Sequence, residues 1–369
     1  MKGDSDEEAL RRRRVPCMIA YLHPFRLVDA ESEITWDATI EQINTCSWDY
    51  VALHKLVGGI DVGLEKPYHL VIGRDGALAL PPLDELRNPQ AAVETFNRYL
   101  AALLLGGVYC EAITPDGLDL GSIIDWTYIR SQRPGLAAPN RFHEHVRRSQ
   151  ASPLEAIALS HPRRVTVAAL DEAMRAGLRM LAAVPTVRGE YLLKGTTGLA
   201  RLDWGAALAN LWIIVEQLVA FLWERHVVTP TLAADRSKTR RSQLADTRTW
   251  TASARIEMLV QKEAIGLVTA KALAVARKAR NDLHHSGAHP TAADARAAYD
   301  GMTGLMIVAL DGEYPPLIDL DLGDHGLSDP FAPPGRLPAE PTHWMAIPKL
   351  PGEEELERAE AKTFRNHKL

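Results

Sequence analysis

The chain has 369 residues, of which 46% are hydrophobic and 24% are charged, a composition typical of a soluble globular protein. This length predicts roughly two to three domains that bury cores without help from disulfides or metals. With 42 Lys and Arg against 47 Asp and Glu, the net charge is −5, which excludes a globally basic nucleic-acid binder. The three cysteines fit neither a disulfide framework nor a metal cluster, and they favour a reducing compartment.

Residues 1–14 are predicted to form a charged leader. Residues 4–8 are mostly acidic, whereas a secretory signal peptide would begin with positive charge and continue into an apolar core. The longest apolar stretch, residues 208–223, contains Glu216 and Gln217 and is shorter than the ~20 residues that a membrane span requires. We therefore expect a cytoplasmic protein without a membrane partner.

Residues 15–130 are predicted to form a mixed α/β domain. Apolar runs bounded by turn residues predict three strands, over residues 15–22, 68–72 and 108–113. Pro89 is expected to begin a helix that Gly106 and Gly107 end. No catalytic or ligand-binding motif is recognisable in this half of the chain. It is therefore interpreted as a sensor, a scaffold or a substrate-positioning domain.

Residues 131–164 differ in composition from the sequence on either side. Four prolines lie between residues 128 and 164, and they are predicted to interrupt any regular element. Seven arginines in the same stretch face only Glu144 and Glu155. This composition predicts a basic connection between domains, either a solvated linker or a strap that contacts RNA.

From residue 165 the apolar residues recur at helical spacing, which predicts four to five helices in an antiparallel bundle over residues 165–311. Pro230 is expected to end the most apolar helix, with a basic loop after it. Thr291 and Asp294 are expected to cap the last helix. Residues 312–369 contain 9 of the 23 prolines, which predicts an extended Pro-rich arm and a charged tail.

The helix predicted over residues 267–285 ends in a dense cluster of basic and polar side chains. Arg280 and His284 lie about 40° apart around such a helix, and Asn281 and His285 form the corresponding i, i+4 pair. A guanidinium beside an imidazole suits phosphodiester chemistry, in which one group binds the phosphate and the other moves a proton. The alternative is a cationic helix end that only interacts with the helix dipole.

The motif Arg280-Asn281-x-x-x-His285, near the end of a late helix, resembles the Arg-x(4–6)-His signature of the HEPN superfamily. Residues 211–218 look like the early HEPN helix, in which a polar residue such as Glu216 interrupts the apolar face. Residues 255–259 follow in the family's order. The resemblance covers residues 165–311 and implies a helical bundle that dimerises and often acts as a metal-independent endoribonuclease in toxin–antitoxin, CRISPR-linked or abortive-infection systems.

The resemblance also implies a role for each residue of the motif. Arg280 would bind the scissile phosphate and Asn281 would orient the site. His285 would act as general base or acid for attack by the ribose 2′-OH, which leaves a 2′,3′-cyclic phosphate. The adjacent His284 leaves open which imidazole is catalytic, and we favour His285 because Asn281 is its i, i+4 partner. Glu216 is expected to be a polar break in a packed helix.

No metal and no cofactor is expected, because adjacent histidines point in different directions on a helix and no Cys or carboxylate joins them at ligand spacing. Further basic residues are candidate contacts to the RNA. They are Arg277, Lys278, Arg236, Lys238, Arg240 and Arg241.

The sequence thus predicts an α+β protein with a mixed α/β N-terminal domain, an all-α HEPN-like antiparallel bundle and a Pro-rich C-terminal arm. The expected function is that of a metal-independent endoribonuclease, an effector of antiviral defence or a toxin. The alternative is a HEPN-like module that binds RNA, a nucleotide or a partner protein without cutting. Expected partners are an RNA substrate, a second copy of the chain bound through the bundle, and an antitoxin or sensor protein bound by the N-terminal domain or the arm.

Overall fold

The computed structural model describes residues 14–30, 38–64, 68–81, 88–234 and 237–319. Within these residues the chain is α+β, with an antiparallel sheet in the first part and helices through most of the rest, which confirms the predicted fold class at this level. The predicted leader lies outside the described residues except for Arg14. The predicted arm and tail lie outside them beyond residue 319.

The strands of the described residues are β1 (Arg14–Tyr21), β2 (Arg26–Asp29), β3 (Leu56–Ile60), β4 (Leu70–Gly73), β5 (Ala77–Leu80), β6 (Asp119–Ile124), β7 (Tyr128–Arg133) and β8 (Arg163–Thr166). Six of them form one sheet in the order β3-β4-β5-β1-β6-β7, with every neighbouring pair antiparallel. A bridge between Lys55 and Tyr128 joins the two outer strands, so this sheet closes on itself. Strands β2 and β8 form a separate parallel pair.

Apolar side chains on the two faces of the six-stranded sheet contribute to two different cores. In β1, Ile19 and Tyr21 point to the inside of the closed sheet, where they pack with Ile123. Ala20 and the following Leu22 point outwards into the core shared with the helices. Alternation with a period of two therefore places one set of side chains in each core.

The helices of the described residues are α1 (Ile40–Asn44), α2 (Tyr50–Leu53), α3 (Pro89–Leu105), α4 (Ala138–Val146), α5 (Pro153–Ser160), α6 (Val167–Ala183), α7 (Gly189–Ala200), α8 (Trp204–Trp223), α9 (Thr229–Ala234), α10 (Lys238–Ala245), α11 (Ala252–Gln261), α12 (Leu267–Ser286) and α13 (Ala292–Ala309). A π turn, Glu224–Val228, joins α8 to α9. Helix α8 packs against α7, α11, α12 and α13, and α12 packs against α13.

Helix α3 connects the sheet to these helices. It is buried on nearly all sides and packs against α6 and α7. A Cβ atom at Gly177 in α6 would clash with the carbonyl oxygen of Ala102 in α3, and one at Gly106 would clash with the backbone of Ala173. The two backbones therefore touch where the helices cross, and one continuous apolar core extends from the outer face of the sheet through α3 to α13.

Several helix ends predicted from the sequence are confirmed. Helix α3 begins at Pro89 and ends at Gly106. The helix predicted over residues 267–285 is α12, which ends at Ser286 because Gly287 takes the left-handed conformation that favours glycine, with a φ of 69°. Thr291 and Asp294 form the predicted capping box of α13. These ends depend on neighbouring residues only, which is why the sequence predicts them.

Two predictions for the first half were wrong. Residues 108–113 form no strand, because the side chain of Asn97 binds both backbone groups of Ile113, at 2.9 Å for its N–H and 3.0 Å for its oxygen. Prolines do not prevent helices in the connection, since Pro139 and Pro153 lie in the first turns of α4 and α5. A proline is tolerated there because the N–H that it lacks would have no partner within the helix.

Two predictions around Pro230 were also wrong. The apolar helix does not end at this proline, since the π turn carries the chain from α8 into α9, where Pro230 is the second residue. A π turn next to a proline is a common way to accommodate the missing hydrogen bond. The predicted basic loop contains helix α10.

By length and composition alone, the helical segment Trp204–Ala233 is apolar enough to cross a membrane. Half of its most apolar window is buried inside the fold, as in the core helix of a globular protein. This is weak evidence for a membrane span, and the cellular location stays a prediction.

Candidate functional site

The predicted catalytic residues lie on the last two turns of α12. Arg280 is half-buried, and its Nη1 donates a hydrogen bond of 3.3 Å to Oδ1 of Asn281. His284 and His285 occupy the last turn, and both are exposed. Gly287 then turns the chain away, so the imidazoles stand at an open helix end.

The two histidines are on different faces of the helix. Arg280 and His284 continue the i, i+4 row of the buried Ala276, about 40° apart. His285 lies roughly 140° from Arg280 and close to the line of Lys278, two turns earlier. On that second face is a cavity of about 350 Å³ between α12 and the start of α13. Its lining includes Lys278, Asp282, His289 and Asp294.

The structure brings Arg280 and Asn281 together, but it shows no hydrogen bond between Asn281 and His285 among the described residues. Asn281, the residue that favoured His285 over His284, is therefore bound to the guanidinium of Arg280 and not to His285. The Nε and Nη2 atoms of Arg280 have no hydrogen-bond partner in the described part of the chain. They are available for an anion at the helix end.

The other candidate RNA contacts are distributed over two helices. Arg277 donates from Nη1 to Oγ of Ser253, the start of α11, over 2.5 Å. Lys238, Arg240 and Arg241 are exposed on α10. Helix α10 is attached to the end of α8 through the buried Leu244, whose carbonyl oxygen accepts a 3.1 Å hydrogen bond from the indole of Trp223. Arg236 lies outside the described residues.

Glu216, predicted as a polar break in α8, is exposed and accepts a 2.7 Å hydrogen bond from the indole N–H of the buried Trp212. This contact satisfies a donor that would otherwise be buried without a partner, which gives Glu216 a structural role.

A second polar cluster, which the sequence analysis missed, lies inside the closed sheet. Asp75, in the turn after β4, is completely buried and binds Arg147 through two hydrogen bonds, Nε to Oδ2 at 2.6 Å and Nη2 to Oδ1 at 2.8 Å. Nδ1 of His143 lies 2.8 Å from the same Oδ2. Tyr21 stacks on His143 with ring centroids 3.8 Å apart and donates a 2.7 Å hydrogen bond to Asp119. We refer to these five residues as the buried polar cluster.

Burial and charge set the protonation states in the buried polar cluster. Burial opposes ionisation of Asp75, but Arg147 and His143 outweigh it and hold the pKa of this carboxyl well below its usual range. Burial lowers the pKa of His143 more strongly than Asp75 raises it, which favours a neutral imidazole. Burial raises the pKa of Tyr21, so its hydroxyl keeps the proton that it donates to Asp119.

The cluster is assembled from residues far apart in the sequence. His143 and Arg147 are an i, i+4 pair spanning α4 and its C-cap, within the segment interpreted as a connection. Their spacing, together with Pro139 in the first turn, would have indicated a helix with one functional face. Their partner Asp75 gives no comparable indication, because the pairing exists only after folding.

Comparison of the chain with protein-family models, with curated proteins and with solved structures gives no match. In the part of the chain that the structure describes, no group of three or more His, Cys, Asp or Glu side chains is arranged to hold a metal ion. The functional interpretation therefore depends on the residues of the site and on their chemistry.

Proposed function

We propose that the chain is a metal-independent endoribonuclease of the HEPN type, with residues 165–311 as its HEPN-like bundle. The observation that carries the proposal is the grouping of Arg280, His284 and His285 on one open helix end. Arg280 presents free guanidinium donors there, and the exposed imidazoles lie within one or two turns of it. The Arg-x4-His spacing of this group is also the feature that resembles the family signature.

The proposed reaction uses the two kinds of group in different roles. Arg280 pairs with the scissile phosphate and neutralises the charge that develops on its oxygens. An imidazole removes the proton from the ribose 2′-OH, and the O2′ atom attacks the phosphorus. The bond to the 5′-oxygen breaks as a second imidazole protonates that oxygen. The products are a 2′,3′-cyclic phosphate and a 5′-hydroxyl.

The direct test is incubation of the full chain with mixed-sequence RNA in excess EDTA. We expect cleavage to continue, because no step of the proposed reaction uses a metal ion. Mass spectrometry of the products should find 2′,3′-cyclic phosphate and 5′-hydroxyl ends. Loss of cleavage in EDTA, or products with 3′-hydroxyl ends, would contradict the proposal. RNA that is bound but stays intact would favour the non-catalytic module.

That second candidate, a bundle that binds RNA, a nucleotide or a partner protein without cutting, is favoured by one observation. Among the described residues, neither His284 nor His285 has a hydrogen bond that would orient its imidazole. A general base is usually oriented by a second group. In the catalytic proposal, that group comes from the bound RNA or from a second copy of the chain.

Exposed apolar residues on α12 support a homodimer as part of this proposal. Leu267, Val268 and Val275 expose 66%, 85% and 48% of their surface. Val268 and Val275 are seven residues apart and thus lie about 20° from one another around the helix that carries Arg280. Pairing of this surface between two copies would bury it and bring two motifs onto one assembly.

Replacing both Val268 and Val275 with Glu is expected to convert a dimer into a monomer and to reduce cleavage at low protein concentration. Four like charges would then be buried together in the dimer interface. Sedimentation velocity measures the association, and Leu136→Glu provides the control, since Leu136 is 74% exposed in the loop before α4. A wild-type chain that is strictly monomeric and cleaves at full rate would contradict the prediction.

The cellular role belongs to the same proposal. An effector of antiviral defence, or a toxin, needs a means of staying inactive until it is required. Binding of an antitoxin or sensor protein by the N-terminal domain, or by the predicted arm, would provide this control.

A further inference from the structure

The closed sheet has a cavity of about 430 Å³ at one end, adjacent to the buried polar cluster. Tyr21, Asp119 and Arg147 contribute to its lining from the cluster, and residues of α2 and β7 line it as well. This volume is within the range of roughly 300–1,000 Å³ that is typical of small-molecule sites. The sequence of this half of the chain contains no recognisable ligand-binding motif.

Two aromatic side chains give the cavity an apolar surface. Tyr50, at the start of α2, and Tyr128, at the start of β7, both line it and are 40% and 37% exposed. In the described part of the chain, neither ring stacks on another aromatic or cationic group. Large aromatic side chains that face a cavity in this way suit a planar ring as ligand.

Two arginines that line the cavity are already paired with a carboxylate, and a third is not. Arg147 is paired with Asp75, and Nη1 of Arg148 lies 3.0 Å from Oε1 of Glu144. Arg130 in β7 also lines the cavity and has no ion-pair partner among the described residues. Its guanidinium is therefore free for an anionic group of a ligand.

Asp119 also lines the cavity, and its carboxylate already accepts several hydrogen bonds. Its carboxylate accepts from the hydroxyl of Tyr21 and from Nδ2 of Asn140 and the backbone N–H of Gly135, at 2.7, 2.6 and 2.6 Å. Arg130 is paired in register with Ser122, which lies three residues after Asp119 in β6. Three residues of a strand span roughly 10 Å. An anion at Arg130 thus stays clear of this carboxylate.

We propose that this cavity binds a nucleotide. The base packs against Tyr50 and Tyr128, and the phosphate pairs with Arg130, which is two residues after Tyr128 and therefore on the same face of β7. Such a nucleotide is available either free in solution or as the terminal residue of an RNA chain. The proposal does not rest on the ribonuclease assignment, because it uses different residues and a different chemistry.

The test is calorimetric titration of the full chain with the four 5′-mononucleotides, the four nucleosides and inorganic phosphate. We expect at least one mononucleotide to bind at least tenfold more tightly than its nucleoside and than phosphate. Arg130→Gln should weaken binding of the mononucleotide at least tenfold and leave binding of the nucleoside nearly unchanged. Tyr128→Ala should weaken both. Thermal melting checks that each variant is folded.

The matched control is Arg133→Gln, which removes the same charge from an exposed residue of β7 that does not line the cavity. This variant should bind the mononucleotide as the wild type does. An equal loss in both arginine variants would overturn the proposal, as would the absence of binding by all four mononucleotides at millimolar concentration.

A second titration distinguishes the two sources of the ligand. Tighter binding of a 5′-phosphorylated tetranucleotide than of the mononucleotide indicates an RNA end, and equal or weaker binding indicates a free nucleotide. Both results support the nucleotide site. Because every readout is binding, an inactive ribonuclease site would leave them unchanged.

Discussion

Replacing Arg280 with Ala is expected to lower RNA cleavage by roughly 10²–10⁴-fold, since this side chain is the proposed binding group for the charged phosphate. The melting temperature should change little, because Arg280 is only half-buried and, among the described residues, it forms one long hydrogen bond, of 3.3 Å, to Asn281. The matched control is Arg296→Ala, which removes an exposed arginine from α13 that pairs with Asp300, four residues further along, and lies over the ring of Tyr299. Cleavage by this control should stay at the wild-type rate.

The two neighbouring histidines are distinguished in the same assay. We expect His285→Ala to lose more activity than His284→Ala, following the Arg-x4-His spacing. The reverse order would assign the catalytic imidazole to His284, which lies on the same face as Arg280. Full activity of the double variant Arg280→Ala, His285→Ala would refute the proposed site, because the cleavage would then come from other residues or from a contaminating nuclease.

Replacing Asp75 with Ala should cost about 3–5 kcal/mol of stability, because it leaves the guanidinium of Arg147 buried without its counter-charge. This is a large share of the roughly 5–15 kcal/mol that stabilises a typical domain. The measurement is urea unfolding with an unchanged slope. The control is Asp171→Ala, which breaks an exposed pair with Arg175 and should cost under about 1 kcal/mol. Equal losses of stability in both variants would show that the buried pair with Arg147 contributes no more than the exposed pair with Arg175.

Asp75 and its neighbour His143 also predict how the stability of the fold depends on pH. His143 has a lowered pKa in the folded chain, so the unfolded chain takes up a proton first as the pH falls below about 6.5, and stability decreases. Asp75 also has a lowered pKa, and its contribution is present above about 4 and lost as the pH falls further. Both groups therefore destabilise the fold on acidification. In Asp75→Asn the decrease below about pH 4 should be smaller, and an unchanged acid limb would contradict this origin.

The end of α12 and the buried polar cluster differ in how far the sequence predicts them. The end of α12 was predicted with its residues in place, because Arg280, Asn281 and His285 are neighbours in the chain and Gly287 ends the helix locally. Interactions that depend on the tertiary fold were not accessible in this way. Arg147, the partner of Asp75, is 72 residues away from it, in a segment that was interpreted as a solvated linker or a strap that contacts RNA. The charge of a residue does not reveal whether it will be buried.

Local side-chain contacts also overrode two sequence patterns. Residues 108–113 have the composition of a strand, but the backbone N–H groups of Ala112 and Ile113 bond to the side chains of Thr197 and Asn97 and not to a neighbouring strand. Asn281 has the spacing to orient His285, yet it binds the adjacent Arg280 instead. Spacing defines which contacts are possible, and the available partners decide which of them form.

The backbone contact between α3 and α6 restricts how this chain is able to evolve. A domain that recombination moves from one protein to another must have a surface that does not depend on its former neighbour. Here the residues before position 130 include α3, which touches the backbone of α6 at two places where a side chain has no room, at Gly106 after α3 and at Gly177 in α6. A helix with such a face fits few other neighbours. We therefore expect the sheet and the helices packed against α3 to be inherited together.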